Sequence, residues 1–217
     1  MRIFFRWKLF FTMAIAFLVI FFSSCLKTLY PIFHKKDAIF NESLLGYWKC
    51  SDKAKNISFM EFRKIPDDRK PELPPAIREI SDKGYFVSRI DSMGKIRHQD
   101  FVFLAKIGKN HYLDYYPAEI SSQRNVNKFY RDHYIKLHSN YRFDFKDNDH
   151  FEIRLFDQSF LEKLLSDNKI NIQYEVVDGK KLITASTDDL QKFIIKYSDN
   201  PDAYGGNITY CSRIIDY

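Results

Sequence analysis

The sequence predicts a mainly β protein, an antiparallel barrel with two accessory helices late in the chain. The first indication is the stretch Tyr141–Phe145, where aromatic and charged residues alternate with the two-residue period of a half-buried strand. The polar turn Lys146–Asp149 follows, and Phe151–Leu155 alternates in the same way, which completes a hairpin. The second indication is a pair of helical patterns after residue 156. We therefore expect a sheet closed on itself, or an open or distorted version of it, that carries two helices.

Other short segments of the chain are typical of strands separated by turns. Ser92–Gly94 and Gly108–Asn110 mark reversals, and the charged, proline-rich stretch Pro66–Pro75 and the polar stretch Ile120–Lys128 are predicted to be surface loops. The predicted strands are Leu45–Ser51, Ile57–Arg63, Gly84–Asp91, Phe101–Ile107, His111–Tyr116 and Ile208–Ile214.

Two amphipathic helices are predicted, with a hairpin between them. Asp157 can cap Gln158–Ser166, and Ser186 or Thr187 can cap Asp188–Tyr197. Each segment carries its large apolar residues on one helical face. The hairpin joins residues 173–177 to residues 182–185 through Asp178-Gly179.

The N-terminus has the pattern of an export signal. Basic residues precede the apolar run Leu9–Phe22, which is short for a helix that spans a bilayer. The next residues, Phe22-Ser-Ser-Cys25, resemble the lipobox of bacterial lipoprotein precursors, which implies cleavage after residue 24 and a lipid on Cys25. An uncleaved signal anchor is the alternative. Lys27, at the second position after Cys25, is not the Asp that retains many lipoproteins in inner membranes, so the outer membrane is favoured by analogy.

The chain divides into residues 1–24 as a lipoprotein signal peptide, 25–42 as the lipidated cysteine and a tether, and 43–217 as one barrel-like domain. The signal peptide holds three of the 34 basic residues, so the mature chain has a formal net charge of +3. Such a mixed surface does not indicate nucleic acid binding. With Cys25 assigned to lipid, Cys50 and Cys211 remain as a candidate disulfide in an oxidising compartment.

Gly46-Tyr47-Trp48, at the start of the first predicted barrel strand, resembles the G-x-W signature of lipocalin-like barrels. That resemblance implies that Trp48 plugs one barrel end beneath a basic residue of the last strand, and that the first and last strands pair. One antiparallel register would then place Cys50 opposite Cys211 and Arg213 opposite Trp48, with all four side chains on one face. The expected barrel-end packing group is therefore Gly46, Trp48 and Arg213.

A longer pattern resembles small uncharacterised envelope lipoproteins of the Bacteroidetes type. This resemblance implies a location and a fold, and it brings no known activity. The segments that carry it, besides the lipobox, are Asp37-x-x-Phe40, Leu44–Trp48, Leu113–Pro117 and Leu182–Thr187.

No catalytic or metal-binding motif stands out in the sequence. His111 with Asp114 and His98 with Asp100 are the only candidate acid–base pairs, and a solvated or structural role is favoured for each. The six histidines are scattered, and neither a metal nor a cofactor is expected. The candidate ligand-facing residues are aromatic: Tyr112, Tyr116, Tyr141, Phe143 and Phe145.

Two functions of different classes fit these observations. The first is an envelope module that binds a small apolar or amphipathic ligand inside the barrel. The second is a structural or interaction subunit of an envelope complex, without ligand or catalysis. A hydrolase is a distant third, for which a requirement for His111 would be the minimum support.

Overall fold

The computed structural model describes residues 26–118 and 135–215 of the chain. The predicted signal peptide, Cys25 and the predicted loop Ile120–Lys128 lie outside these residues. The strands are β1 (Lys27–Thr28), β2 (Ala38–Ile39), β3 (Gly46–Asp52), β4 (Ile57–Lys64), β5 (Gly84–Asp91), β6 (Ile96–Ile107), β7 (Asn110–Pro117), β8 (His138–Phe145), β9 (His150–Leu155), β10 (Tyr174–Val177), β11 (Lys180–Ile183) and β12 (Ile208–Arg213). The helices are α1 (Pro75–Arg78), α2 (Gln158–Ser166), α3 (Thr187–Tyr197) and α4 (Pro201–Tyr204), with 3₁₀ turns at Glu42–Leu44, Asp67–Glu72 and Ser81–Lys83.

Eight antiparallel strands close into a barrel. Strands β3 to β9 pair in sequence, and β12 fills the remaining gap between β9 and β3. The predicted mainly β barrel with two late helices is confirmed, and the barrel is closed rather than open. The Tyr141–Leu155 hairpin is present as β8 and β9, and α2 and α3 occupy the predicted segments, capped by Asp157 and Ser186.

The barrel has a packed interior. On each strand every second side chain points inward, because successive residues of a strand face opposite sides. These inward residues form one hydrophobic cluster in which each member is at most 4% exposed. Its members include Trp48, Met60, Phe62, Tyr85, Val87, Val102, Leu104, Leu113, Tyr115, Phe143, Phe151 and Ile153.

A second hydrophobic core lies on the outer wall of the barrel. Outward-facing residues of β5 to β7, among them Phe86, Phe103 and Tyr112, pack against α2, α3, α4 and the chain that precedes β3. The proline-rich stretch Pro66–Pro75, predicted to be a surface loop, contains the 3₁₀ turn Asp67–Glu72, and its Leu73 is buried in this core. The late helices therefore cover one side of the barrel.

Residues 26–41, here called the N-terminal strap, correct the prediction of a tether. Leu26, Ile32, Phe33 and Ala38 are at most 3% exposed and belong to the outer core. Strand β1 pairs with β8 and β11, and β2 pairs with β6. The apolar residues of the strap follow neither strand nor helix period, because most of the strap is irregular chain laid across the barrel wall. The strap is part of the folded domain.

Among the described residues, no helix is long and apolar enough to cross a membrane.

Candidate functional site

One end of the barrel, here called the Trp48 end, is closed by Trp48 and Arg213. The guanidinium of Arg213 lies 4.3 Å from the centre of the Trp48 ring, within the range of a cation–π contact. Arg213 also donates hydrogen bonds to the carbonyl oxygens of Leu45 (2.9 Å) and Ser43. The indole Nε1 of Trp48 donates to the carbonyl of Leu44 at 2.9 Å. The Nε atom of Arg213 donates to Asp149 at 3.0 Å, so the indole N–H of the buried Trp48 and all three guanidinium nitrogens of the partly covered Arg213 have partners.

Gly46 allows Arg213 to reach these carbonyls. Its φ is +117°, and a Cβ atom at this position would lie 3.2 Å from Nη1 of Arg213. A residue with a side chain would therefore be strained in its backbone and crowded by the guanidinium. The G-x-W spacing has a physical reason in this chain: Gly46 leaves room for the cation that covers Trp48.

The barrel closes where its first strand, β3, pairs with its last strand, β12, and this junction is here called the seam. The predicted register is present there. Strands β3 and β12 pair Cys50 with Cys211 and Trp48 with Arg213, and the two cysteines form a disulfide. The candidate disulfide is therefore confirmed. It joins the first and last strands of the barrel across 161 residues of sequence.

The five aromatic candidates for a ligand-facing wall do not share a surface. Phe143 belongs to the interior cluster and is fully buried there, and the partly buried Tyr141 and Phe145 pack against that cluster. Tyr112 and Tyr116 face the outer core. Tyr112 is 1% exposed, and this burial raises the pKa of its hydroxyl to about 12. Alternation in sequence groups residues by face, but it does not tell which face of a barrel strand points inward.

The opposite end of the barrel, here called the Arg89 end, is polar. The Arg89 guanidinium lies 4.7 Å from the ring centre of Tyr115 and 5.6 Å from that of Tyr141. The two rings contact each other edge to face at 4.9 Å. The Nε atom of Arg89 is buried and has no hydrogen-bond partner among the described residues. At this end, therefore, a guanidinium packs against a pair of contacting aromatic rings.

A carboxylate and a lysine complete the Arg89 end. Burial raises the pKa of the Asp100 carboxyl, while the charges of Arg89, His98 and Lys27 act to lower it. Lys27 also donates to the hydroxyl of Ser139 at 2.5 Å, which ties the N-terminal strap to the edge of β8. In the described part of the chain, the Asp100 carboxylate is thus influenced by two permanent cations and a histidine.

Of the two candidate acid–base pairs, the structure keeps His98 and Asp100 on one face of β6, where the charge of His98 acts on Asp100, and it separates His111 from Asp114. His111 and Asp114 lie on opposite faces of β7, because they are three positions apart along the strand. Asp114 instead contacts His138, with 2.5 Å between Oδ1 and Nδ1, and both residues are buried. The second oxygen of Asp114 accepts from the amide of Ile32 at 2.9 Å. This Asp–His pair spans two strands and 24 residues of sequence, so local spacing gave no sign of it.

The buried Asp114–His138 pair holds the N-terminal strap. The ring of Tyr116 lies 5.0 Å from that of His138 and covers it. On the other side of the strap, Gln191 and Thr187 of α3 donate to the strap carbonyls of Ile32 (3.0 Å) and Pro31 (2.8 Å). The pair is enclosed by packing, so its evident role is to position the strap rather than to meet a substrate.

A surface groove of about 510 Å³ runs outside the barrel, beside the strap and the β10–β11 hairpin. Its walls are mostly hydroxyl, amide and carboxylate groups, so it does not resemble a pocket for an apolar ligand. The lining residues are Tyr30, Gln173, Glu175, Thr184, Ser186 and Thr187.

No family model, no curated protein and no solved structure matches this chain. Among residues 26–118 and 135–215, no group of three or more His, Cys, Asp or Glu side chains is arranged to hold a metal ion. The barrel is filled; one of its ends is closed by Trp48 under Arg213, and the other carries Arg89 with Asp100 and Lys27.

Proposed function

We propose that the protein is an exported lipoprotein, anchored through lipid on Cys25, whose filled barrel is a rigid scaffold for interactions in the cell envelope. The observation that carries the proposal is the packed interior, where large side chains such as Trp48, Phe62 and Phe143 are at most 1% exposed. Small eight-stranded barrels are just wide enough for their own side chains to fill. A ligand in this interior would have to displace a buried aromatic ring.

The disulfide supports the export half of the proposal. Disulfides persist in the periplasm and outside the cell, and they are rare in a reducing cytoplasm. Cys50 and Cys211 are at most 3% exposed, so a reductant reaches the bond only when the barrel opens. The bond is therefore typical of a structural disulfide in an oxidising compartment.

The anchor is tested by metabolic labelling with radioactive palmitate in a bacterial host. The full chain is expected to incorporate label and to partition with membranes. The Cys25→Ala variant is expected to do neither. Equal labelling of the two forms would contradict the anchor.

The scaffold is tested with the Cys25→Ala chain, exported to the periplasm and purified without detergent. Native mass spectrometry is expected to give the mass of the protein alone with the Cys50–Cys211 bond intact. A lipid-sized adduct that persists through purification would contradict a filled barrel and favour the alternative function below.

The alternative function is binding of a small amphipathic ligand with its anionic group at the Arg89 end. It is favoured by the buried Nε of Arg89, which has no hydrogen-bond partner in the described part of the chain. The matched experiment compares Arg89→Met with Arg63→Met, since Arg63 lies on the outer wall with its side chain 48% exposed. An adduct lost only in Arg89→Met would support the alternative, and an adduct kept in both would place the ligand elsewhere.

A further inference from the structure

Two turns lie side by side at the Arg89 end of the barrel. The β3–β4 turn and the β5–β6 turn are neighbours because β4 pairs with β5, with Ser58 opposite Asp91. Residues 52–57 and 91–98 are here called the basic rim. Both turns project from this end, since β3 and β5 finish there and β4 and β6 begin there.

The basic rim has a net positive charge. It carries four exposed cations and two carboxylates, those of Asp52 and Asp91. Both carboxylates are engaged within their own turns: Asp52 accepts from Asn56 at 2.8 and 2.9 Å, and Asp91 forms an ion pair with Arg97 at 2.6 Å. Hydrogen bonds from these turns lower the pKa of both carboxyls, so both remain charged at neutral pH. The cations are Lys53, Lys55, Lys95 and Arg97.

Apolar side chains stand in solvent among these cations. Met93 is 88% exposed, Ile96 is 52% exposed and Ile57 is 46% exposed. Gly94, next to Met93, has a φ of +78° and no atom within 4 Å of where its Cβ would lie, so the turn projects away from the body. Exposed apolar residues surrounded by lysine and arginine match the boundary of a membrane, where headgroups are polar and the acyl region is not.

Lys27, which lies two residues after the proposed anchor Cys25, is at the same end of the barrel as the basic rim. Lys27 pairs with Ser139 on β8, and its charge acts on Asp100 at the Arg89 end. Two residues of chain span at most about 7 Å, so a lipid on Cys25 starts within that distance of the Lys27 backbone. Because the strap is packed, there is no long spacer between such a lipid and the domain.

We propose that the basic rim is the surface by which the domain lies on a membrane that contains anionic lipid, with Met93 and Ile96 at the headgroup boundary. The proposal rests on the proposed lipid anchor and deepens it, since it names the face that the anchor presents. The lipid holds the domain near the bilayer, and the rim fixes its orientation there.

The test places one fluorescent label at each end of the lipidated full chain. Ile96→Cys labels the rim. Ile195→Cys is its matched control, because Ile195 is 50% exposed and lies against Gly108 in the β6–β7 turn, at the opposite barrel end. Both variants are reconstituted in vesicles of phosphatidylcholine, with and without phosphatidylglycerol, and an environment-sensitive dye reports contact with lipid.

The label at position 96 is expected to shift to the blue and to be quenched by lipid-borne nitroxide in the anionic vesicles, and the label at position 195 is not. Adding Lys95→Glu and Arg97→Glu to the rim-labelled chain is expected to abolish the shift. Equal signals at the two positions, in chains that float with the vesicles, would overturn the docking surface and leave the anchor intact. Chains that fail to float would overturn the anchor, and the docking surface with it.

Discussion

Arg213 lies over Trp48 with 4.3 Å between the guanidinium carbon and the ring centre, and the two residues are also direct partners across β12 and β3. The same guanidinium donates to two carbonyls of the segment that leads into β3. One side chain thus joins the last strand of the barrel to the beginning of the first and covers the ring that fills this end.

Replacing Arg213 by Ala is expected to lower the free energy of unfolding by about 2–4 kcal/mol, because the cation–π contact and charged hydrogen bonds to two carbonyls are lost. Arg213→Lys keeps the charge over Trp48 but not the forked donor, so an intermediate loss is expected. Urea titration followed by Trp fluorescence measures the difference. The control is Lys49→Ala, an exposed residue of β3 opposite Ser212, for which little change is expected. A loss in Arg213→Ala no greater than in this control would show that the plug contributes nothing to stability.

Gly46→Ala is expected to destabilise the protein more than Gly94→Ala. Both glycines have a positive φ, which costs about 1–2 kcal/mol for a residue with a side chain. Only at Gly46 does the new Cβ also meet Arg213, whereas the space around Gly94 is empty. The difference in urea midpoint between the two variants therefore measures the crowding of Arg213 together with the larger backbone strain at Gly46, whose φ of +117° lies further from the left-handed region than the +78° of Gly94. Equal midpoints would mean that the guanidinium moves aside freely.

Asp114→Ala is expected to loosen the N-terminal strap while the barrel stays folded. The variant removes the acceptor of the Ile32 amide and leaves His138 buried without its partner. Hydrogen exchange should show lost protection at Ile32 and retained protection in β4 and β5. His34→Gln is the control, since His34 contacts Asp188 at the exposed side of the same strap. If both variants lose protection at Ile32 to the same extent, the buried pair is not what holds the strap.

Stability is expected to fall as the pH drops from about 7 to about 5, in part because of His111. Burial, with help from Lys106, lowers the pKa of the imidazole. In the unfolded chain the group titrates near a pKa of about 6.5. Protons therefore bind preferentially to the unfolded state below that pH, and the stability present above it is lost as the pH falls through the folded pKa. Urea midpoints across this range should decline less steeply for His111→Gln than for the native chain or for His34→Gln.

The sequence was informative wherever a local pattern decides the structure. The alternation in Tyr141–Leu155 and the caps Asp157 and Ser186 predicted β9, α2 and α3 to within one residue at each end, whereas β8 begins three residues before the predicted strand. The seam was also accessible, because one antiparallel register satisfied two separate pairs, Cys50 with Cys211 and Trp48 with Arg213.

Features that depend on distant parts of the chain were not accessible. The strap has no period, and its burial depends on α3 and β7, which are more than 70 residues away in sequence, as the Ile32–Asp114 bond shows. The prediction that Asp114 pairs with His111 was wrong for the same reason. The pairing of β7 with β8 brings His138 close to Asp114 instead. Tyr112 lies in the outer core and Phe143 in the barrel interior, because their side chains point to opposite sides of the barrel wall. No local pattern encodes that choice.

The order of strands at the seam also determines when the barrel can form. Strand β3 pairs with β4 on one edge, but its other edge stays unpaired until β12 is available. Nearly the whole domain separates β3 from β12 in sequence. Pairings between such distant segments are slow, because the intervening chain must be closed into a loop first. A chain that crosses a membrane from its N-terminus would therefore remain unclosed until its last strand had emerged. The Cys50–Cys211 bond, made at that seam, would then mark the end of secretion and keep the barrel from reopening.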